Sequence, residues 1–342
     1  MITSTSALDR MALLLWLTVA SMATMTAAAP VASADAAGPT DYRTDIVSIE
    51  PADIPISVEM IGGDAFIILE QQGSVEVVVL GYRGEEYLRF DPDGTVVENR
   101  RSPATWLNAE RYGTEDALPS FVDHQAPPQW RRVASNGRYA WHDHRTHWMN
   151  PARPPGAEPG DQVLEATVPL LIDGRPVTIT VASFLLEDPP VWPGLLGAVA
   201  GIALASLGLR GGRVPLSLAG ILVGGLALLL GTVAFRSVPS ETEPQLLLWL
   251  LPTIAFAALV IVLLVRKRLA TTVYLDGLGV AAGATLAAWA IIRLDALTRS
   301  LIPSEAPATL DRIGIGAALV AGVVLAGRGL WGLARPQRLI EP

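Results

Sequence analysis

Residues 163–209 read VLEATVPLLIDGRPVTITVASFLLEDPPVWPGLLGAVAGIALASLGL, and the chain changes character within them. Two strand-like runs, 163–172 and 175–186, flank Asp173-Gly174. A two-residue hairpin turn needs positive φ at both central positions, which Asp and Gly tolerate, so this segment reads as a β-hairpin. Asp188-Pro189-Pro190 then stiffens the chain. From Trp192 the alternation stops, and the 18 residues 192–209 carry no charge. That run is close to the ~20 residues needed to cross a bilayer.

Read toward the C-terminus, the apolar pattern repeats. Candidate spans are 192–209, 214–235, 246–265, 273–292 and 313–331. Basic residues lie in alternate breaks: Arg210 and Arg213, Arg266-Lys267-Arg268, and Arg335 with Arg338. The positive-inside rule puts those breaks in the cytoplasm, so an odd number of spans leaves everything before Trp192 outside. Trp192, Trp249, Trp289 and Trp331 sit near span ends, where an indole suits the headgroup level. Asp276 falls in the fourth span about two turns from Arg268, which predicts a helix-end role; Arg328 is expected to snorkel. The spans hold no histidine, no chain of acids and no inverted repeat, a pattern that disfavours a proton pump or secondary transporter.

Read toward the N-terminus, the chain is polar and strand-like. Turn residues separate runs at 56–61, 65–70, 74–80, 87–90, 95–99, 130–135 and 138–144. Asn136-Gly137 between the last two predicts a second tight hairpin, with Arg131 opposite His142. The stretches 125–129 and 151–159 are Pro-rich and read as loops. No sustained helical period occurs, so the expectation is an all-β sandwich, Ig-like or related, over 35–190. This region carries 25 acidic and 12 basic residues, a net charge of −13 that repels nucleic acid. Arg10 before the apolar run 11–20, then Ala32-Ser33-Ala34, has the form of a secretory signal peptide over 1–34.

Composition sets the outer bounds. The 342 residues are 51% hydrophobic and 17% charged, with mean hydropathy +0.40, which rules out a single soluble enzyme. There is no cysteine, hence no disulfide, thiolate zinc site, iron–sulfur cluster or cysteine nucleophile.

One chemical signal stands out. All four histidines lie between positions 124 and 147, three of them in Trp141-His142-Asp143-His144-Arg145-Thr146-His147-Trp148-Met149. On a strand, His142 and His144 share one face, and His147 joins them if the strand ends or bends. With His124 from the preceding loop or the Met149 thioether, they make a candidate copper or zinc site. The alternative is that the His/Trp run is part of the packed fold. The spacing also matches the first ligands of the metallo-β-lactamase fold, but Thr146 stands where that pattern has Asp, and no histidine follows His147. No nucleophile elbow, Walker loop or dinucleotide motif is present.

Further patterns surround that run: Gly81-Tyr82-Arg83-Gly84-Glu85-Glu86-Tyr87-Leu88-Arg89, Asn99-Arg100-Arg101-Ser102-Pro103-Ala104-Thr105-Trp106-Leu107-Asn108 and Trp130-Arg131-Arg132-Val133. Together with the histidine run they resemble a family of uncharacterised actinobacterial exported membrane proteins, over residues 42–190. The resemblance implies an N-terminal β-domain followed by transmembrane helices, and no assigned activity. Read physically, Glu85, Glu86, Arg89, Arg100 and Arg101 are expected to pair across strands. Tyr82, Tyr87, Trp106, Trp130, Trp141 and Trp148 are expected to fill the core. The whole then reads as a binding or scaffolding module of the cell envelope, anchored in the bilayer by residues 191–342. Its candidate partners are lipid, a metal ion, and an envelope protein or glycan.

Overall fold

The computed structural model describes residues 37–242, 244–267 and 272–335. The expected signal peptide over 1–34 lies outside the described residues, as do Arg268 and Arg338.

Among the described residues ten strands come first along the chain: β1 Tyr42–Glu50, β2 Ile56–Ile61, β3 Phe66–Gln71, β4 Val77–Leu80, β5 Glu86–Phe90, β6 Val96–Asn99, β7 Trp130–Ala134, β8 Arg138–Trp141, β9 Gln162–Ile172 and β10 Arg175–Leu185. They divide into a seven-stranded sheet, β1-β10-β9-β4-β5-β6-β7, and a three-stranded sheet, β2-β3-β8. Ile67, Leu69 and Trp141 of the small sheet share one buried core with Val77, Leu88, Phe90, Leu170 and Ile179 of the large one. This is the expected sandwich. Asp173 and Gly174 adopt φ of 47° and 74°, and β9 pairs with β10 from Ile172–Arg175 outward, as the turn chemistry requires.

The Asn136-Gly137 hairpin is a correction. β7 pairs with β6 in the large sheet, whereas β8 pairs with β3 in the small one. Gly137 sits at the crossing with φ 69°. Its N–H donates to the Gly94 carbonyl and its own carbonyl accepts from Gln71, so the turn is pinned to both sheets. Arg131 therefore faces Glu98 on β6, not His142. The domain is also not all-β: a short helix, α1, spans Pro103–Leu107, and five residues cannot show a period. Ser102 caps it by accepting from the Ala104 N–H, with Pro103 at the first helical position. Of the charged side chains expected to pair across strands, Arg89 pairs instead with Asp91 two residues along, and Glu85 accepts from the Ser102 hydroxyl.

Among the described residues five long helices follow: α2 Trp192–Gly211, α3 Arg213–Arg236, α4 Leu247–Val265, α5 Val273–Ile291 and α6 Ala308–Leu333. All are long and apolar enough to cross a membrane. Small residues set their spacing. A Cβ on Gly283 of α5 would lie 2.2 Å from the Ala326 nitrogen of α6, so only glycine admits that approach. Trp289 is fully buried and donates from Nε1 to the Leu248 carbonyl at 2.7 Å. Arg293, just past α5, makes a buried two-pronged pair with Asp311 of α6, both contacts 2.8 Å.

The sandwich is tied to one end of this bundle. Thr40 and Leu301 exchange backbone hydrogen bonds of 3.0 and 2.9 Å. Next to them Asp41, 1% exposed, accepts from Arg153 at 3.0 Å, Arg299 at 2.8 Å and the Ser300 N–H at 3.1 Å. Gln245 donates to the Ala37 carbonyl, and Arg138 pairs with Glu241. The α3–α4 and α5–α6 connections thus both lie at the sandwich end, and α6 finishes at the far end.

Replacing Asp41 by alanine removes the acceptor that both arginines share. Because those arginines are about 40% exposed, Asp41→Ala is expected to cost about 2 kcal/mol. The checks are equilibrium unfolding of the full chain in detergent and faster proteolysis near Glu187.

Candidate metal centre

Strand β8 ends at Trp141, one residue before the first histidine. Alternation along a strand therefore does not align His142 with His144. A turn does so instead, and buried polar contacts build it. The Thr146 N–H and hydroxyl both donate to the Asp143 carbonyl, at 2.9 and 2.7 Å. Thr44 of β1 donates to the Thr146 carbonyl at 2.6 Å. The Asp143 carboxylate, fully buried, accepts from Arg145 Nε at 2.8 Å, Arg145 Nη2 at 2.7 Å and Trp141 Nε1 at 3.0 Å. Burial pushes this carboxyl up, but the Arg145 charge and these hydrogen bonds outweigh it and hold the group down at about 2.

The turn folds three imidazoles together. One ring nitrogen from each of His142, His144 and His147 lies within 4.8 Å of the others. The His142 and His147 ring centroids are 4.4 Å apart, and His144 stands nearly perpendicular to both at 5.8 and 5.6 Å. His142 Nδ1 contacts the Ala65 carbonyl at 2.6 Å, and His147 Nδ1 contacts the Trp148 carbonyl at 3.1 Å. A carbonyl only accepts, so both Nδ1 atoms carry the hydrogen and both Nε2 atoms present lone pairs. Those Nε2 atoms are buried with no hydrogen-bond partner among the described residues. His144 is arranged the other way, with Nε2 at 2.9 Å from the Glu110 carbonyl.

Electrostatics keep the rings neutral. Burial lowers His142 to about 4. Burial, then the neighbouring His142 and the Arg111 charge, lower His147 to about 2. Burial also lowers His144. Neutral imidazoles with uncommitted nitrogens are the form that ligates metal. Zn–N bonds of ~2.0–2.1 Å in a tetrahedral site place ligand nitrogens about 3.4 Å apart, so closing on an ion needs ring movements of about 1 Å or less. Three imidazoles can hold copper or zinc and leave a position for a further ligand.

Two further ligands were expected beside these three. His124 is exposed on the loop before β7 and is not in the group of three. Met149 is 41% exposed, two residues past His147.

The surrounding shell comes from the other sequence patterns. Tyr82 stacks on His144, donates to Asn108 and accepts from the His144 N–H at 2.9 Å. Asn108 caps the end of α1. Arg145 lies over the Tyr82 ring. Thus Tyr82 and the Ser102–Asn108 stretch steady His144. Of the six large aromatics expected in the core, Tyr87 and Trp141 are there; Tyr82 packs against it, and Trp106, Trp130 and Trp148 are half-buried. Reading the sequence did not single out Asp64, Ala65, Arg111 or Tyr112. Asp64 is fully buried and pairs with Arg111, and Tyr112 meets His147 edge-on. The only sequence signal of Asp64 and Arg111 is polarity in turns, which most loops share.

No known family model, curated protein or solved structure matches the chain.

Two outcomes follow from these charges. Asp143→Ala leaves the Arg145 guanidinium unpaired in the interior and is expected to cost 3 kcal/mol or more, roughly the effect of breaking a buried pair, read by equilibrium unfolding. The histidines give a pH dependence. Their folded pKa values lie below the unfolded value of about 6.5, so the unfolded chain takes up protons first as pH falls. Stability is fully present above about 6.5 and drains away as pH drops toward 4, the value of His142. A chain with His142, His144 and His147 all replaced by Gln should show a flatter dependence of unfolding midpoint on pH between 7 and 4.

Proposed function

We propose that this protein is a membrane-anchored envelope module that binds a transition-metal ion, copper or zinc, through His142, His144 and His147. The observation that carries the reading is the pair of buried, unpartnered Nε2 atoms on His142 and His147 beside a third imidazole. A buried polar atom without a partner costs about 1–3 kcal/mol, and a bound ion would repay it. Hydrogen bonds from Nδ1 to backbone carbonyls are the usual outer-shell support of a metal-binding imidazole.

The sandwich is placed outside the cytoplasm in this proposal. Support comes from charge: Arg210, Arg213, Arg266, Lys267, Arg328 and Arg335 all belong to the bundle end away from the sandwich. The signal-like sequence over 1–34 argues for the same orientation. An exported chain without cysteine would rely on imidazole for copper or zinc.

A second reading has its own observation. Trp141, Asp143, Thr146 and His147 are all buried, so the run is part of the packed fold. That favours a structural motif in a module that meets an envelope protein or glycan without any metal.

Titration of the full chain in detergent with Zn(II) and with Cu(II) separates the two. The metal reading expects one ion per chain at micromolar affinity or tighter, weakened at least tenfold in His142→Ala and in His147→Ala. A folded chain that takes up neither ion at micromolar concentration would falsify it and leave the structural reading.

A further inference from the structure

The bundle end away from the sandwich holds a second charged cluster, which the metal centre does not use. Asp276 sits in the first turn of α5 and is 4% exposed. Its two oxygens accept from Nη2 of Arg213, the first residue of α3, both at 2.7 Å. Arg328 of α6 brings Nη1 to 3.9 Å from the same carboxylate. One buried acid therefore gathers guanidinium groups from two helices. Gly332, one turn beyond Arg328, makes room for it: a Cβ there would lie 2.3 Å from the Asp276 carboxyl carbon.

The acid does not saturate the arginines. Both are about one-third exposed, at 34% and 36%. Arg213 engages Asp276 through Nη2 alone, and Arg328 makes no hydrogen bond among the described residues. Beside them lies a notch of about 30 Å³, lined by Arg213, Ser217, Asp276 and Arg328 between Leu259 and Leu325. Arg210, Arg266, Lys267 and Arg335 belong to the same end, where Asp276 is the single acidic side chain among the described residues.

We propose that Arg213 and Arg328 form a seat for the phosphodiester headgroup of an anionic phospholipid. Guanidinium groups match phosphate oxygens in pairs, and their apolar stems sit well among lipid tails. Basic pockets between membrane helices take anionic headgroups in this way. Asp276 is the positioning residue: it holds two cations together that would otherwise repel, and leaves a surplus positive charge for the phosphate. The surrounding leucines suit acyl chains, which favours a lipid over free phosphate.

The test uses the full chain in neutral detergent. Thermal unfolding is followed while phosphatidylglycerol, phosphatidylcholine or inorganic phosphate is added in separate series. Phosphatidylglycerol is expected to raise the unfolding midpoint where phosphatidylcholine does not. In the Arg213→Gln/Arg328→Gln chain its half-saturating concentration should rise roughly tenfold. A charge-matched control, Arg210→Gln/Arg335→Gln, should change it less than about threefold. Arg328→Gln alone breaks no hydrogen bond and reads the seat should the double variant not fold. Equal response to the two lipids, or equal loss in the control, would overturn the proposal. So would a full shift with inorganic phosphate at the lipid's working concentration, which would assign the seat to a free anion.

Discussion

The Asp143 carboxylate has no access to water, and a charge in that position persists only where its partners satisfy it completely. The Arg145 guanidinium and backbone N–H and the Trp141 indole supply those partners. Each of them is thereby fixed. Trp141 is held in the sandwich core, Arg145 is laid over Tyr82, and the chain between them must turn tightly. The two flanking histidines leave that turn on one side, and Thr146 locks it so that His147 arrives beside His142. The imidazole cluster is in this sense a consequence of solvating one buried carboxylate.

A second constraint is positional. The Ala65 carbonyl that accepts from His142 belongs to the β2–β3 turn, whose neighbour Gly63 packs against Tyr42 and Leu301. Ala65 and Phe66 also share a small buried cluster with Ala37 and the half-buried Val238, which follows α3. The imidazoles thus stand one residue layer above the loops that join the membrane helices. The bundle has charged contacts at both of its ends, Arg293–Asp311 near the sandwich and Arg213–Asp276 away from it, while its middle is packed through glycine and alanine. That division follows from the solvent: charge is tolerated at headgroup depth and costs several kcal/mol nearer the centre.

Much of this architecture was legible residue by residue. Asp173-Gly174 announced the β9–β10 hairpin because positive φ at two successive positions is a local requirement. The five helices were legible because a lipid-facing segment must be apolar along its whole length, whatever it packs against. The three histidines were legible as a group because they are close in the chain. The fit of Tyr82 and Asn108 around them was not, since residues 26 positions apart meet only through α1 and the β4–β5 turn.

Local chemistry, then, fixes where strands, turns and spans lie, and it brings the donor atoms into one short segment. Partner choice is non-local. Asn136-Gly137 encodes a turn equally well whether the next strand folds back on β7 or crosses to β3. What selects β3 is the burial of Tyr139 and Trp141 between the sheets, together with the bonds of Gly137 to Gly94 and Gln71. That crossing ends β8 at Trp141, and only then do His142, His144 and His147 leave the strand and converge. The residue types came with the sequence. Their convergence, their loss of water and the lone pairs left without partners belong to the tertiary structure, because burial and neighbour contacts exist only once the two sheets have closed on each other.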